Sequence, residues 1–130
     1  NDIERYKDIQ FVGLSDKDGQ RFGVPRQSGP SILAKRNPIL PTIVLDHRPE
    51  HAKENALPNV FLQLSGHTHS GQMPPWNLLV RIRYSFAVGL NKFKEMTIYV
   101  SKGTGSWGPP IRLFGRPEIT LISIIGSKTE

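Results

Sequence analysis

Cysteine is absent from the 130 residues. Disulfides and thiolate metal sites are thereby excluded, and any metal must be held by His, Asp, Glu or Asn. Long apolar runs are absent too: none approaches the roughly 20 residues a bilayer-spanning helix needs. There is no signal-peptide pattern and no initiator Met. The chain starts Asn1-Asp2-Ile3-Glu4, which points to a processed chain or an excised piece, with any membrane anchor outside it. No internal repeat or low-complexity tract occurs. Acidic groups are in deficit: 11 Asp and Glu against 17 Lys and Arg leave a net charge of +6. That balance favours anionic partners such as phosphates, nucleic acid or an acidic membrane surface, or else it dresses a solvated face. The length and the 37% hydrophobic content suit one domain or a large piece of one.

Three apolar runs organise the chain. Ile9 to Leu14 reads as a strand ending in the turn Ser15-Asp16-Lys17-Asp18-Gly19. Thr42 to Asp46 is β-branched and continuously apolar up to its last residue, as in a strand buried on both faces. Val60 to Leu64 is the third. Ser31 to Lys35 suits a short helical turn, and Pro49 can open a helix through Glu50 to Ala56. Further on, Met73 to Asn77 reads as an irregular loop. Tyr84 to Gly89 and Met96 to Ser101 read as paired strands joined by Leu90 to Glu95. Gly103 to Pro110 is a second long loop. Glu118 to Ile125 places Ile119, Leu121, Ser123 and Ile125 on one face and is predicted to be a closing strand. Strands with few helices, and long loops after strand ends, are the scaffold on which α/β proteins carry their sites.

The residues with chemistry gather on those loops. Gly66-His67-Thr68-His69 follows one strand, and Asp46-His47-Arg48-Pro49 follows another. His47, His67 and His69 at the ends of neighbouring strands would meet on one rim of the sheet, and imidazole is the usual nitrogen ligand for zinc and iron. Each taken alone is more often a loop histidine that fixes a turn. His51, on the expected helix, reads as an exposed helix residue. Asp46 can orient a ligand, or it can pair with Arg48 or cap the following helix. Asp16 and Asp18 read as an ordinary turn. Gly103-Thr104-Gly105-Ser106 can offer backbone N–H groups to a phosphate, and Arg112 and Arg116 flank that loop as bidentate anion binders or as surface charge. Trp76 and Trp107 either wall a pocket for an apolar substrate or cover the core edge.

Taken together, these residues resemble the calcineurin-like metallophosphoesterases. The likeness is strongest to the bacterial branch with a Leu-Ser-Gly-His-Thr-His-Gly-Gly-Gln signature, which here reads Leu64-Ser65-Gly66-His67-Thr68-His69-Ser70-Gly71-Gln72. His47-Arg48-Pro49 matches the family's His-x-Pro element. Tyr99 to Gly105 and Arg116 to Leu121 match two later segments. The resemblance spans Phe11 to Ile125 and implies an α/β fold: the C-terminal half of a two-sheet β-sandwich flanked by helices, with residues 1–130 a C-terminal part of the domain. It implies that His47 and His67 hold one metal and His69 the other, with Gly103, Gly105 and Arg112 on the substrate side. The two divalent ions, iron, manganese or zinc, would clamp a phosphate ester.

The family's earlier Gly-Asp and Gly-Asn elements have no counterpart, since neither dipeptide occurs in the chain. The expectation is therefore a metal-dependent phosphate-ester hydrolase whose His-rich half is inactive alone and self-associates through an uncovered sheet face. Members of this branch are often membrane-associated and some act on phospholipid-like substrates, so contact with an anionic lipid surface is a further expectation, and specific nucleic-acid binding is not. The competing readings are a non-catalytic basic module for anionic lipid or nucleic acid, resting on the charge, and a purely structural half-barrel without a ligand.

Overall fold

The computed structural model describes residues 1–113 and 115–126. Six strands form one mixed sheet: β1 (Asp2–Tyr6), β2 (Ile9–Leu14), β3 (Thr42–Asp46), β4 (Val60–Ser65), β5 (Gly89–Phe93) and β6 (Met96–Val100), in the order β1-β2-β3-β4-β6-β5. The four inner strands β2, β3, β4 and β6 run parallel, and β1 and β5 close the edges antiparallel. Among the described residues three short α-helices, α1 (Gly29–Leu33), α2 (Ala52–Asn55) and α3 (Trp76–Arg83), accompany the sheet.

Side-chain alternation explains the layering. Val12 and Leu14, Val44, Val60, and Met96, Ile98 and Val100 turn to one face and form the core with Ile32 and Leu33 of α1 and Ala52 of α2. The opposite face is also apolar but only partly covered, with Leu45 42% and Leu90 75% exposed. Because β2, β3, β4 and β6 are parallel, their C-terminal residues Leu14, Asp46, Ser65 and Val100 lie along one rim. That rim gathers the loops bearing Asp16 and Asp18, His47, His67 and His69, and Gly103 and Gly105. Ligands of open α/β sheets bind outside this edge.

The strands expected at Ile9, Thr42 and Val60 form where the sequence placed them, and the structure is compatible with the α/β class. Four elements differ. The strand paired with β6 is Gly89–Phe93, not Tyr84 to Gly89: a tight turn at Lys94 and Glu95 sets the register Phe93 to Met96. Residues Trp76–Arg83 form a helix beyond the Pro74-Pro75 pair, and its first residues Trp76 and Asn77 belong to the stretch Met73 to Asn77 expected as a loop. Asp2–Tyr6 adds a charged edge strand. The closing strand is not formed. Glu118 to Ile125 makes no ladder, and Ile119, Leu121 and Ile125 are 92%, 91% and 88% exposed. Only its start is held, where Glu118 donates its N–H to the Gly103 carbonyl and accepts from the Tyr99 hydroxyl.

Candidate metal and phosphate site

The β3 and β4 loops are tied together at the rim. The Gly66 N–H donates to the His47 carbonyl at 2.9 Å, and Ser101 after β6 donates to the Ser65 carbonyl at 2.8 Å. His47 and His67 consequently face each other edge to face, their ring centroids 5.2 Å apart. His67 holds a left-handed backbone at φ 68, followed by His69 at 47 and Ser70 at 55. A non-glycine residue in that region costs about 1–2 kcal/mol, and such strain concentrates at functional loops.

His69 turns toward the Gly103 loop. Arg112 Nη2 lies 3.0 Å from His69 Nδ1. Arginine has no acceptor, so Nδ1 must accept and the neutral ring carries its proton on Nε2. Arg112 also donates to the Lys102 carbonyl at 2.8 Å and to the Gly105 carbonyl. Three residues placed on the substrate side from the sequence, Gly103, Gly105 and Arg112, thus surround His69. The guanidinium there is spent on carbonyls rather than pointed at open solvent.

Sequence reasoning missed three supporting groups. Gln72, inside the signature, is buried, and its side chain pairs with both the carbonyl (2.7 Å) and the N–H of Trp107, stapling the two long loops. Tyr84 packs its ring 6.2 Å from His67. Arg26 pairs with Asp46 at 3.1 Å, and Asn55 also donates to that carboxylate. Asp46 is therefore not the partner of the Arg48 guanidinium, which goes to Asp16 and Asp18 at 3.1 and 2.7 Å. Asn55 continues to Gln63, and Gln63 to Ser65, so a buried polar chain links the ends of β3 and β4. Asp16 also caps its own turn, accepting from the Asp18 N–H at 2.8 Å. His51 sits on Glu54 at 3.4 Å, away from the rim.

Burial, followed by the Arg48 and His47 charges, lowers the His67 pKa, and burial with Arg112 lowers that of His69. Both rings are thus neutral at pH 7, the form that binds metal. The unfolded chain takes up these protons first, near the ordinary value of 6.5. Stability is therefore expected to hold above that pH and to fall on acidification through it. Asp16 and Glu118, whose pKa values are also lowered, contribute losses only below their ordinary 3.8 and 4.5. Urea unfolding at about pH 7.5 and pH 5.5 should show the loss, and His67→Ala should flatten it.

Neighbouring imidazoles suit a divalent borderline metal. Among the described residues no group of three or more His, Asp or Glu side chains converges as a metal site.

A strand-end rim with paired histidines defines a candidate metal-binding α/β protein, and similarity to known proteins narrows the class. The chain is 37% identical over 121 residues to an uncharacterized metallophosphoesterase of Campylobacter jejuni, covering 92% of this chain and 32% of that protein. It is 32% identical over 121 residues to one from Aquifex aeolicus, covering 91% of this chain and 46% of the relative. A Bos taurus transmembrane protein with metallophosphoesterase domain is 46% identical over 87 residues, 65% of this chain and 20% of its own length. No family model and no solved structure matches. These likenesses place the sequence in the metallophosphoesterase family, consistent with the calcineurin-like type. The chain spans less than half the length of each of these three relatives.

Proposed function

We propose that this chain is the histidine-bearing part of a metal-dependent phosphoesterase, with its rim forming one side of a two-metal site. The observation that carries the reading is the meeting of His47 and His67 at the ends of adjacent parallel strands, 5.2 Å between ring centroids. These two residues hold one divalent ion. His69 offers its remaining nitrogen to the second, a step that moves its proton to Nδ1 and displaces Arg112. A divalent cation there supplies Lewis-acid stabilisation of charge on the phosphoryl oxygens. Gly103 and Gly105 would flank the ester beside His69, and Arg112, released from His69 by that change, would turn a guanidinium N–H toward it.

The remaining carboxylate and amide ligands come from sequence outside this chain, and the partly covered sheet face carrying Leu45 and Leu90 is where a second sheet, or a second copy of the chain, packs. On this reading the 130 residues alone do not turn over substrate. The basic charge assists approach of an anionic ester or an acidic lipid surface.

Calorimetric titration with Zn²⁺ or Mn²⁺ tests the assignment. His67→Ala or His47→Ala should weaken uptake by more than about 100-fold, beyond the roughly 10–100-fold of losing a group that only orients a ligand. His51→Ala should leave it unchanged. Uptake indifferent to His47 and His67 overturns the assignment. If polyanion binding then proves steeply salt-dependent and equally indifferent to these histidines, the chain is a basic binding module instead.

A further inference from the structure

We propose that Glu118 is a positioning residue of this site: it clamps the Lys102-Gly103 peptide, and that peptide sets the Arg112 guanidinium against His69. This deepens the phosphoesterase assignment and rests on it. All four backbone polar groups of Lys102 and Gly103 have partners. The Lys102 N–H donates to Glu118 Oε1 at 2.9 Å, and the Gly103 carbonyl accepts from the Glu118 N–H at 3.2 Å. The Gly103 N–H donates to Ser101 Oγ at 3.0 Å, and the Lys102 carbonyl accepts from Arg112 Nη2 at 2.8 Å. Glu118 therefore grips the dipeptide at both ends. Gly103 holds a left-handed backbone at φ 74, and a Cβ there would stand 3.6 Å from His69 Cε1. The clamped peptide lies directly against the imidazole.

The carboxylate is itself anchored. Oε1 also accepts from the Tyr99 hydroxyl at 2.8 Å, and Oε2 meets Lys102 Nζ at 3.3 Å. Tyr99 belongs to β6 and is in register with Leu64 of β4, the strand that ends in the histidine loop. The carboxyl is held below its ordinary 4.5 by the Lys102 N–H, against the opposing effect of burial, so it is ionised at pH 7. Hydrogen bonds to an ionised acceptor are roughly twice as strong as neutral ones. These bonds do not serve the tail that follows, since Ile119, Leu121 and Ile125 stand exposed beyond them. What they fix is the loop. On its inner side the Lys102 and Gly105 carbonyls receive Arg112, whose Nη2 lies 3.0 Å from His69 Nδ1. The Gly105 carbonyl also lies within reach of the imidazole. It is placed to accept from Nδ1–H in the tautomer that binds metal through Nε2, as carbonyls beside metal-ligating histidines do.

The experiment records the side-chain ¹⁵N signals of the histidines in the labelled chain, before and during Zn²⁺ addition. In the metal-free parent, His69 should show one tautomer with Nδ1 unprotonated. In Glu118→Ala its nitrogens should shift toward the average of the two tautomers, with His51 and His67 unmoved. Glu118→Gln keeps an oxygen for the Lys102 N–H and should restore the parent signals. Tyr99→Phe removes one anchor of the carboxylate and should move His69 part of the way, so the test holds even where Glu118→Ala does not fold. The His69 signals of Glu118→Ala should need about tenfold more Zn²⁺ to respond than those of the parent.

A merely structural Glu118 would lower stability in urea and leave the folded His69 spectrum unchanged. His69 signals that ignore Glu118→Ala and Tyr99→Phe therefore overturn this inference, and so does a Glu118→Gln spectrum no closer to the parent than that of Glu118→Ala. In either case His47 and His67 still respond to Zn²⁺ and the phosphoesterase assignment stands. His47 and His67 signals that ignore Zn²⁺ overturn the assignment and the positioning role with it.

Discussion

Asp46→Ala is expected to lower the unfolding free energy by about 3–5 kcal/mol, the cost of removing one partner from a buried ion pair. Asp46 is 1% exposed, and the Arg26 side chain facing it is 12% exposed. The carboxylate accepts from Arg26 Nη2, from Asn55 Nδ2 at 3.4 Å and from the Arg48 N–H at 3.4 Å. Truncation leaves the mostly buried Arg26 guanidinium with only the Ser15 carbonyl and weakens the hold on the Asn55 amide. Asn55 makes the loss worse, because its Oδ1 is already without a partner and its Nδ2 would keep only Gln63. The residues at risk adjoin His47 and Ser65, so the variant should also bind Zn²⁺ more weakly than the parent. Urea unfolding measures the first effect. A loss under about 1 kcal/mol would mean the pair behaves as a solvated surface contact.

The second large effect separates the core from the tail. Ile98 sits in the middle of β6, fully buried among Met96, Val100 and the core of α1. Ile98→Ala should cost about 2–5 kcal/mol through lost transfer energy and the cavity left behind. Leu121, with the same apolar character and an equally regular alternation around it, is 91% exposed. Leu121→Ala should change stability by no more than about 0.5 kcal/mol. A comparable loss at both positions would show that the tail is packed in solution and would restore the closing strand.

That contrast shows where the sequence was legible. β3 and β4 are apolar runs broken inside only by the buried Gln63, the pattern of inner parallel strands, and their ends put His47 and His67 on one rim without further information. The tail alternates as well as any strand, but alternation reports a capacity to cover a surface, and no described strand pairs with it. β1 was invisible because Asp2, Glu4 and Arg5 give an edge strand its charges and no apolar period. α3 was hidden by Pro74 and Pro75, which read as breakers, and by the β-branched Val80 and Ile82 within it.

Residue types and spacing pointed to the histidines and the Gly103 loop, and the fold brings them to one rim. The partners did not follow. Arg26 reaches Asp46 across 20 residues, Gln72 reaches Trp107 across 35, and Arg112 reaches His69 across 43. Such contacts depend on how the loops stack, and local pattern holds no record of that.

The proposed site has β3 and β4 delivering His47 and His67 to one metal ion. X-ray absorption fine structure at the zinc edge, on the chain loaded with one equivalent of Zn²⁺, would read that shell. Imidazole scattering from His47 and His67 is expected in the first shell at distances near 2.0–2.1 Å, with one imidazole lost in His47→Ala and one in His67→Ala. A shell of oxygen donors alone, or an imidazole signal unchanged by both substitutions, would contradict it.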